Sequence, residues 1–431
     1  MESHGHVRGH RGSQTSTTPS CDHVSLRPAR YGHAPIGQAR HPPSANPSLP
    51  HETREERKPL ASPRLFPARP GTAASDPLRG YNISPTHPFP DPTDAAQRSS
   101  YPNSHPLRTA TRTEGNAMAT LTVPGSVPPV ADDVEQLHKA FEGWGTNEKL
   151  IISILAHRDA ARRRAIRRAY ADAYGKELLR ALGDEIHGKF ERAVILWTLD
   201  PAERDAVLAN EEARKWHPGG RALVEIACTR TPAQLFAAKQ AYHDRFKRSL
   251  EEDVAAHVTG DFRKLLVPLV SAYRYDGPEV NTSLAHSEAK ILNEKIDKKA
   301  YNDEEIIRIL TTRSKAQLLA TFNSYKDQFN HAINKDLKAD PKDELLATLR
   351  AIIRCFTCPD RYFEKVIRLS LGGMGTEEED LTRVITTRAE VDLKLIKEAY
   401  QKRNSVPLER AVAKDTTRDY EDILLALLGA E

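Results

Sequence analysis

The chain has 431 residues, with 63 Lys and Arg against 59 Asp and Glu. The positive excess sits in residues 1–117, which carry 14 basic and 9 acidic side chains; the rest carries 49 and 50. Such a balance excludes the basic surface of a nucleic-acid binder, so an anionic partner would need a local site or a bound cation.

Residues 1–117 hold 18 of the 29 prolines and 9 of the 17 histidines. Apolar runs there are short and have no period. Such a segment buries too little apolar surface to offset the entropy of ordering it, so disorder is expected. Its Arg and Ser content raises a plastid or mitochondrial transit peptide, which its acidic residues and scattered prolines argue against. Met118, followed at once by ordinary sequence, is an alternative start of translation. The cysteines at 21, 228, 355 and 358 are too few for a disulfide scaffold and point to a reducing compartment. No apolar run approaches the ~20 residues of a membrane span.

Beyond this extension the chain repeats itself. Four apolar runs end in Arg158, Arg230, Arg313 and Arg388, and twelve residues after each comes Tyr170, Tyr242, Tyr325 and Tyr400. The Arg-to-Arg steps are 72, 83 and 75 residues, the longer one fitting a linker near Asp276 to His286. Ile306, Ile307, Ile309 and Leu310, then Leu318, Leu319, Phe322, Tyr325 and Phe329, fall on helical stripes. Gly183 and Pro268 are expected between helices. About five short helices per unit make an all-α domain. The boundaries are 1–131 for the extension and leader, 132–203 for repeat 1, 204–278 for repeat 2, 279–286 for a linker, 287–361 for repeat 3 and 362–431 for repeat 4. Each repeat arginine closes a helix, where it would cap carbonyls or pair with an acid of its own unit.

Two units carry a Gly-x-Gly-Thr turn before the first apolar run. They are Phe141-Glu142-Gly143-Trp144-Gly145-Thr146 and Leu371-Gly372-Gly373-Met374-Gly375-Thr376. Glycines permit a tight turn with convergent carbonyls, and calcium takes six to eight oxygens, commonly carbonyls plus a bidentate carboxylate. Glu185 follows Gly143 by 42 residues and Asp415 follows Gly373 by 42. One such loop would be read as a turn with Thr as helix cap, and Thr376 with Glu379 fits a capping box. Two loops in register, each with an acid at the same distance, favour a calcium site.

These four units, the two loops with their acids, and the ending Lys414-Asp415-Thr416-Thr417-Arg418-Asp419-Tyr420 resemble the annexin family, plant annexins in particular, from about residue 119 to 431. The resemblance implies a curved disc of four five-helix repeats with calcium loops on its convex face. It implies calcium-dependent, non-enzymatic binding to anionic phospholipid membranes by a cytoplasmic protein. One ion would be held by the carbonyls of Phe141, Gly143 and Gly145 with Glu185. Another would be held by those of Leu371, Gly373 and Gly375 with Asp415. Trp144 and Met374, at the loop tips, would contact the membrane.

The middle units depart from this pattern. Lys215, His217 and Pro218 stand at the loop positions of repeat 2, with His257 for the acid. Lys298, Ala300 and Tyr301 stand in repeat 3, where Asp340 keeps the acid position. Neither should bind calcium strongly.

Weaker signals point elsewhere. Gly183 to Phe190 nearly matches a phosphate-binding P-loop but lacks its Ser or Thr and its preceding strand. Cys355-Phe356-Thr357-Cys358 lacks two further zinc ligands; a redox role with Cys228 is the alternative to packing. His157 fits either a helix end or the haem peroxidase raised for plant annexins. Ile307-Arg308-Ile309 resembles a segment linked to actin binding in that family, or a buried face. A peroxidase, a nucleotide hydrolase and a calcium-independent scaffold are the competing functions.

Overall fold

The computed structural model describes residues 117–143, 145–215, 220–338, 342–372 and 376–430. Residues 1–116, Trp144, His217, Pro218, Asp340, Gly373, Met374 and Gly375 lie outside the described residues, so the readings on them rest on the sequence alone.

Among the described residues there are twenty helices and no strand. The first unit comprises α1 (Val130–Ala140), α2 (Glu148–Leu155), α3 (Ala160–Tyr174), α4 (Leu178–Glu185) and α5 (Gly188–Thr198). The second comprises α6 (Pro201–Ala213), α7 (Arg221–Thr229), α8 (Pro232–Phe246), α9 (Leu250–His257) and α10 (Gly260–Ser271). The third comprises α11 (Thr282–Asp297), α12 (Glu304–Thr312), α13 (Lys315–Phe329), α14 (Ile333–Asp336) and α15 (Glu344–Thr357). The fourth comprises α16 (Pro359–Ser370), α17 (Glu378–Arg388), α18 (Leu393–Asn404), α19 (Leu408–Asp415) and α20 (Arg418–Leu428). The expectation of five helices per unit is met.

Local chemistry sets these boundaries. Asp159, Ser249, Asn281, Ser314 and Asp343 each accept a hydrogen bond from a first-turn N–H of the helix they precede, satisfying one orphan donor. The third helix of every unit stops at a left-handed residue: Gly175, Lys247, Asn330 and Ser405. Only Gly175 adopts that conformation without a Cβ penalty, so the turn, not the residue type, is what repeats.

Two expected breaks are helical instead. Gly183 lies inside α4, where a Cβ would meet only ordinary contacts at 3.7 Å. Pro268 lies inside the last turn of α10. It forfeits one backbone bond near the helix end, where packing of Leu265, Leu266, Leu269 and Val270 outweighs the loss. Similarly α11 starts at Thr282, within the stretch read as linker.

In every unit the first helix packs on the third. Between units α5 packs on α17 and α20, and α2 on α20, joining units 1 and 4. Likewise α7 packs on α15, and α10 on α12, joining units 2 and 3. Buried charges tie these pairs together. Glu225 on α7 accepts from the Arg383 guanidinium at 2.9 and 3.0 Å and from the Tyr362 hydroxyl at 3.0 Å. Arg163 bonds Glu390 at 2.9 Å while stacking 3.7 Å over the Trp197 ring.

The repeat arginines have their structural role. Arg158 holds buried Asp133 at 2.7 and 3.1 Å, Arg230 holds Asp205 at 2.6 and 2.8 Å, and Arg313 holds Glu288 at 2.8 Å. Each acid lies 25 residues before its arginine. In unit 4 that position is Phe363; Arg388 lies 4.7 Å over its ring and bonds Asp392 at 2.6 and 2.7 Å instead. The Arg158, Arg230 and Arg388 pairs are bidentate and so geometrically specific, and losing one partner strands a buried charge.

The leader from Met118 is bound to the fold. Thr120 N–H donates to the Ala389 carbonyl at 2.9 Å, its hydroxyl to that of Leu427 at 2.6 Å, and Lys394 N–H to that of Met118 at 3.1 Å. Thr122 offers its carbonyl to His157 Nδ1 at 3.1 Å.

Candidate metal centres

Between α1 and α2 the chain turns through Gly143 and Gly145, whose φ values are +110° and +100°. A Cβ at either would meet nothing within 4 Å, so it is backbone strain and not crowding that demands glycine. The turn is closed by Asn147 N–H donating to the Ala140 carbonyl at 2.9 Å. No backbone N–H of a described residue outside that turn donates to the carbonyls of Phe141, Gly143 or Gly145.

Glu185, the last residue of α4, is brought to this turn. Its exposed carboxylate forms no ion pair with a described residue, and its nearest polar contact is the Thr146 hydroxyl at 3.4 Å. That hydroxyl also lies 3.2 Å from the Glu185 carbonyl oxygen. The two ends of the loop before α17 are tied in the same way. Glu377 N–H closes it on the Ser370 carbonyl at 2.9 Å, and the Thr376 hydroxyl donates to the Asp415 carbonyl at 2.9 Å. Asp415 ends α19 and pairs with no described base. At Gly372 a Cβ would stand 2.9 Å from the Arg368 carbonyl, so glycine is required there too.

The threonines therefore do not cap. Asn147 caps α2, accepting from Leu150 N–H at 3.0 Å, and α17 has Glu377 at its N-cap position with no side-chain cap bond. Thr376 and Glu379 form no capping box; Glu379 bonds Lys215 at 3.1 Å. Each threonine is instead spent across 39 residues on the segment that carries the acid.

The acids also face the repeat tyrosines. Burial, then the neighbouring Tyr174 and Glu185, raise the Tyr170 phenol above its usual range. Burial, then Glu364 and Asp415, do the same to Tyr400. Among the described residues no cluster of three His, Cys, Asp or Glu could hold a metal. A cation at these loops would be held by carbonyls and a single carboxylate, the donor set of a hard ion.

The middle units lack these parts. Lys215 pairs with Glu379 at 3.1 Å and Glu212 at 3.4 Å, and His257 Nδ1 lies 2.8 Å from the Asp253 carbonyl. In unit 3, Lys299 takes φ +56°, and Ala300 N–H returns to the Lys295 carbonyl at 2.9 Å. That turn consumes the helix-end carbonyls that a cation would need.

The weaker signals find structural places. Gly183 to Lys189 joins two helices, and Lys189 pairs with Glu378. Burial pushes the Cys228 thiol up to about 12 and the Cys355 thiol well above its usual value, which keeps both protonated. Ile309 is buried, Ile307 packs against the core, and Arg308 bonds Glu305 at 2.7 Å.

The four units and the paired loops define a helical repeat protein with two like candidate cation sites. The annexin family model matches residues 132–197, 204–269, 287–352 and 362–427. Annexin D2 of Arabidopsis thaliana is 60% identical over 313 residues, covering 72% of this chain and 99% of that protein. Annexin Gh1 of Gossypium hirsutum is 61% identical over 311 residues, with the same coverage. Among solved structures, chicken annexin V in complex with zinc aligns with a TM-score of 0.67 at 30% identity, over 73% of this chain and 99% of that one. Calcium-bound annexin (Sm)1 aligns with a TM-score of 0.63 at 27% identity, over 72% and 93%.

The chain belongs to the annexin family, whose general property is calcium-dependent phospholipid binding.

Proposed function

We propose that this annexin binds anionic phospholipid membranes through two calcium ions, one at the unit 1 loop and one at the unit 4 loop. The carbonyls of Phe141, Gly143 and Gly145 with Glu185 hold the first. Those of Leu371, Gly373 and Gly375 with Asp415 hold the second. Each bound ion supplies positive charge that bridges the protein to a lipid phosphate.

One observation carries this reading: in both units a threonine hydroxyl contacts the backbone carbonyl of the acid, 39 residues on. That bond fixes an unpaired carboxylate beside the turn, and in unit 1 no backbone N–H of a described residue outside the turn donates to the carbonyls of Phe141, Gly143 or Gly145. The units with lysines at the loop contribute no such site. The protein acts as a binding module and not an enzyme. Its working place is the cytoplasmic face of membranes, in keeping with the absence, among the described residues, of a helix long and apolar enough to span one.

Co-sedimentation with phosphatidylserine vesicles tests the assignment. Wild type should pellet with calcium and not with chelator. Glu185→Ala or Asp415→Ala should each raise the calcium requirement about tenfold, and the pair should nearly abolish binding, because each ion loses its only charged protein ligand. A double variant that binds like wild type overturns the site assignment.

A further inference from the structure

A cleft of about 240 Å³ lies between α7, α15 and α16, away from both loops' acids. Its walls carry Arg221, Arg350, Arg354 and Lys365, against one acid, Glu344. Elsewhere in this protein many arginines meet carboxylates, as Arg158, Arg163, Arg230, Arg313, Arg383 and Arg388 do, while buried Arg274 bonds backbone carbonyls and buried Arg204 has no ion pair with a described acid. Here only Arg221 meets a carboxylate, bonding Asp380 at 2.6 Å. No described acid lies within ion-pair distance of Arg350, Arg354 or Lys365. Arg350 Nε is buried without a hydrogen-bond partner.

Geometry forces these charges together. Arg350 and Arg354 stand four apart on α15, so they share one helix face, where like charges repel. Lys365 and Leu369 do the same on α16. Burial first, then Arg354, Arg350, Arg368 and Arg221, depress the Lys365 ammonium below its usual value. Burial, then Arg354, depresses the Arg350 guanidinium. A fold that concentrates unpaired cations in a cavity is short of an anion.

We propose that this cleft binds a phosphate monoester dianion, with Arg350, Arg354 and Lys365 as its ligands. Two guanidinium forks match phosphate oxygens bidentately, and the ammonium adds a point charge. The cavity leaves room for a small organic substituent beside the phosphate. Leu369, 54% exposed on the wall, stands two residues before Leu371 of the unit 4 loop. The Arg221–Asp380 bond ties the other wall to the first turn of α17, just after that loop. The phosphate could thus arrive on a lipid headgroup or on a soluble metabolite. This binding needs no calcium and stands apart from the loop sites.

The full-length chain in chelator is titrated with inorganic phosphate and with glycerol phosphate, by calorimetry and thermal melting. It is also sedimented with phosphatidylcholine vesicles with and without phosphatidic acid. Wild type should bind phosphate and melt at a higher temperature with it, as any ligand of the native state requires. Arg350→Gln with Arg354→Gln should lose about tenfold in affinity or more. It should melt no lower than wild type without phosphate, because repulsion is relieved. Lys365→Met should weaken binding about threefold, and Glu344→Gln should tighten it slightly. Calcium-free retention of phosphatidic acid vesicles, lost in the double variant, assigns the headgroup; binding of glycerol phosphate alone assigns a soluble ester. Either supports the site. Variants that bind phosphate like wild type overturn it, as does an equal effect of chloride at matched ionic strength. Should the double variant not fold, Lys365→Met and Glu344→Gln carry the same test.

Discussion

The loops of units 1 and 3 begin from the same place, the end of the first helix, and resolve it in opposite ways. After α11 the chain turns through Lys299, and Ala300 N–H satisfies the Lys295 carbonyl, so the helix end is sealed. After α1 it runs on through two glycines at φ +110° and +100°, and the carbonyls beyond the helix stay unengaged. The four-unit fold tolerates either solution, because in both units the first helix packs on the third and the repeat arginine holds its buried acid. A cation site needs the open one, and an acid that nothing else has claimed. The acids divide likewise. Asp133, Asp205 and Glu288 are buried under arginines and hold units together, while Glu185 and Asp415 end their helices without a base.

An acid that holds the fold and one that is left open should answer substitution in opposite currencies. Asp133→Ala strands Arg158 and Arg162, both within 2.7 Å of its carboxylate. It should cost about 3–5 kcal/mol of stability, the largest single effect expected, read as a fall in melting temperature. The calcium requirement of the protein that remains folded should not move. Burial raises the Asp133 carboxyl, but hydrogen bonds from Arg158 and Arg162 outweigh it and hold it below its ordinary value of 3.8. The native pair is therefore fully stabilising above that value and weakens as pH falls through the depressed one. Melting followed from pH 5 down to about 2 should show a smaller loss in Asp133→Asn than in wild type.

Gly145→Ala sharpens the contrast between the open and the sealed turn. The alanine would meet no atom but must hold φ near +100°, a cost of about 2 kcal/mol. The loop should relax away from that geometry, raising the calcium requirement for vesicle binding about tenfold with little change in melting temperature. Trp144, between the two glycines, tests what the loop does once docked. With Trp197 and Trp216 replaced by Phe, its emission should shift to the blue only when calcium and vesicles are both present. Trp144→Ala should weaken vesicle binding by about 1–2 kcal/mol, as partial burial of an aromatic ring requires. Emission already blue without vesicles would remove it from the membrane contact. The smallest effect is expected in unit 2: Lys215→Gly with His217→Gly should change the calcium requirement by less than about twofold, since His257 stands at the acid position and glycines alone supply no carboxylate. A clear gain would show that the turn, and not the acid, limits binding.

Much of this was legible in the residues. The twelve-residue Arg-to-Tyr offset exposed the units, and the two Gly-x-Gly-Thr turns with acids 42 residues on exposed the paired loops. Less visible was the use of each residue. Thr146 and Thr376 look like caps because a Thr before a helix usually is one, yet their hydroxyls turn to a distant carbonyl. Pro268 looks like a break because its ring forbids one helical bond, yet packing near the helix end carries it. The acid 25 residues before each of three repeat arginines was a readable signal, since a constant offset in successive units marks a constant contact.

The sequence by itself determined the helices, their grouping into four units and the positions of the open turns. All of these follow from local periodicity, from glycine's backbone freedom, and from one pattern repeated at a fixed spacing. Only the tertiary structure decided which charges meet. Glu225 finds Arg383 across 158 residues, Arg163 finds Glu390 across 227, and Arg350, Arg354 and Lys365 crowd one cleft with no described acid within ion-pair distance. Pairing between units depends on how packed helices bring distant side chains within a few ångströms, and no local rule of composition or period contains that distance.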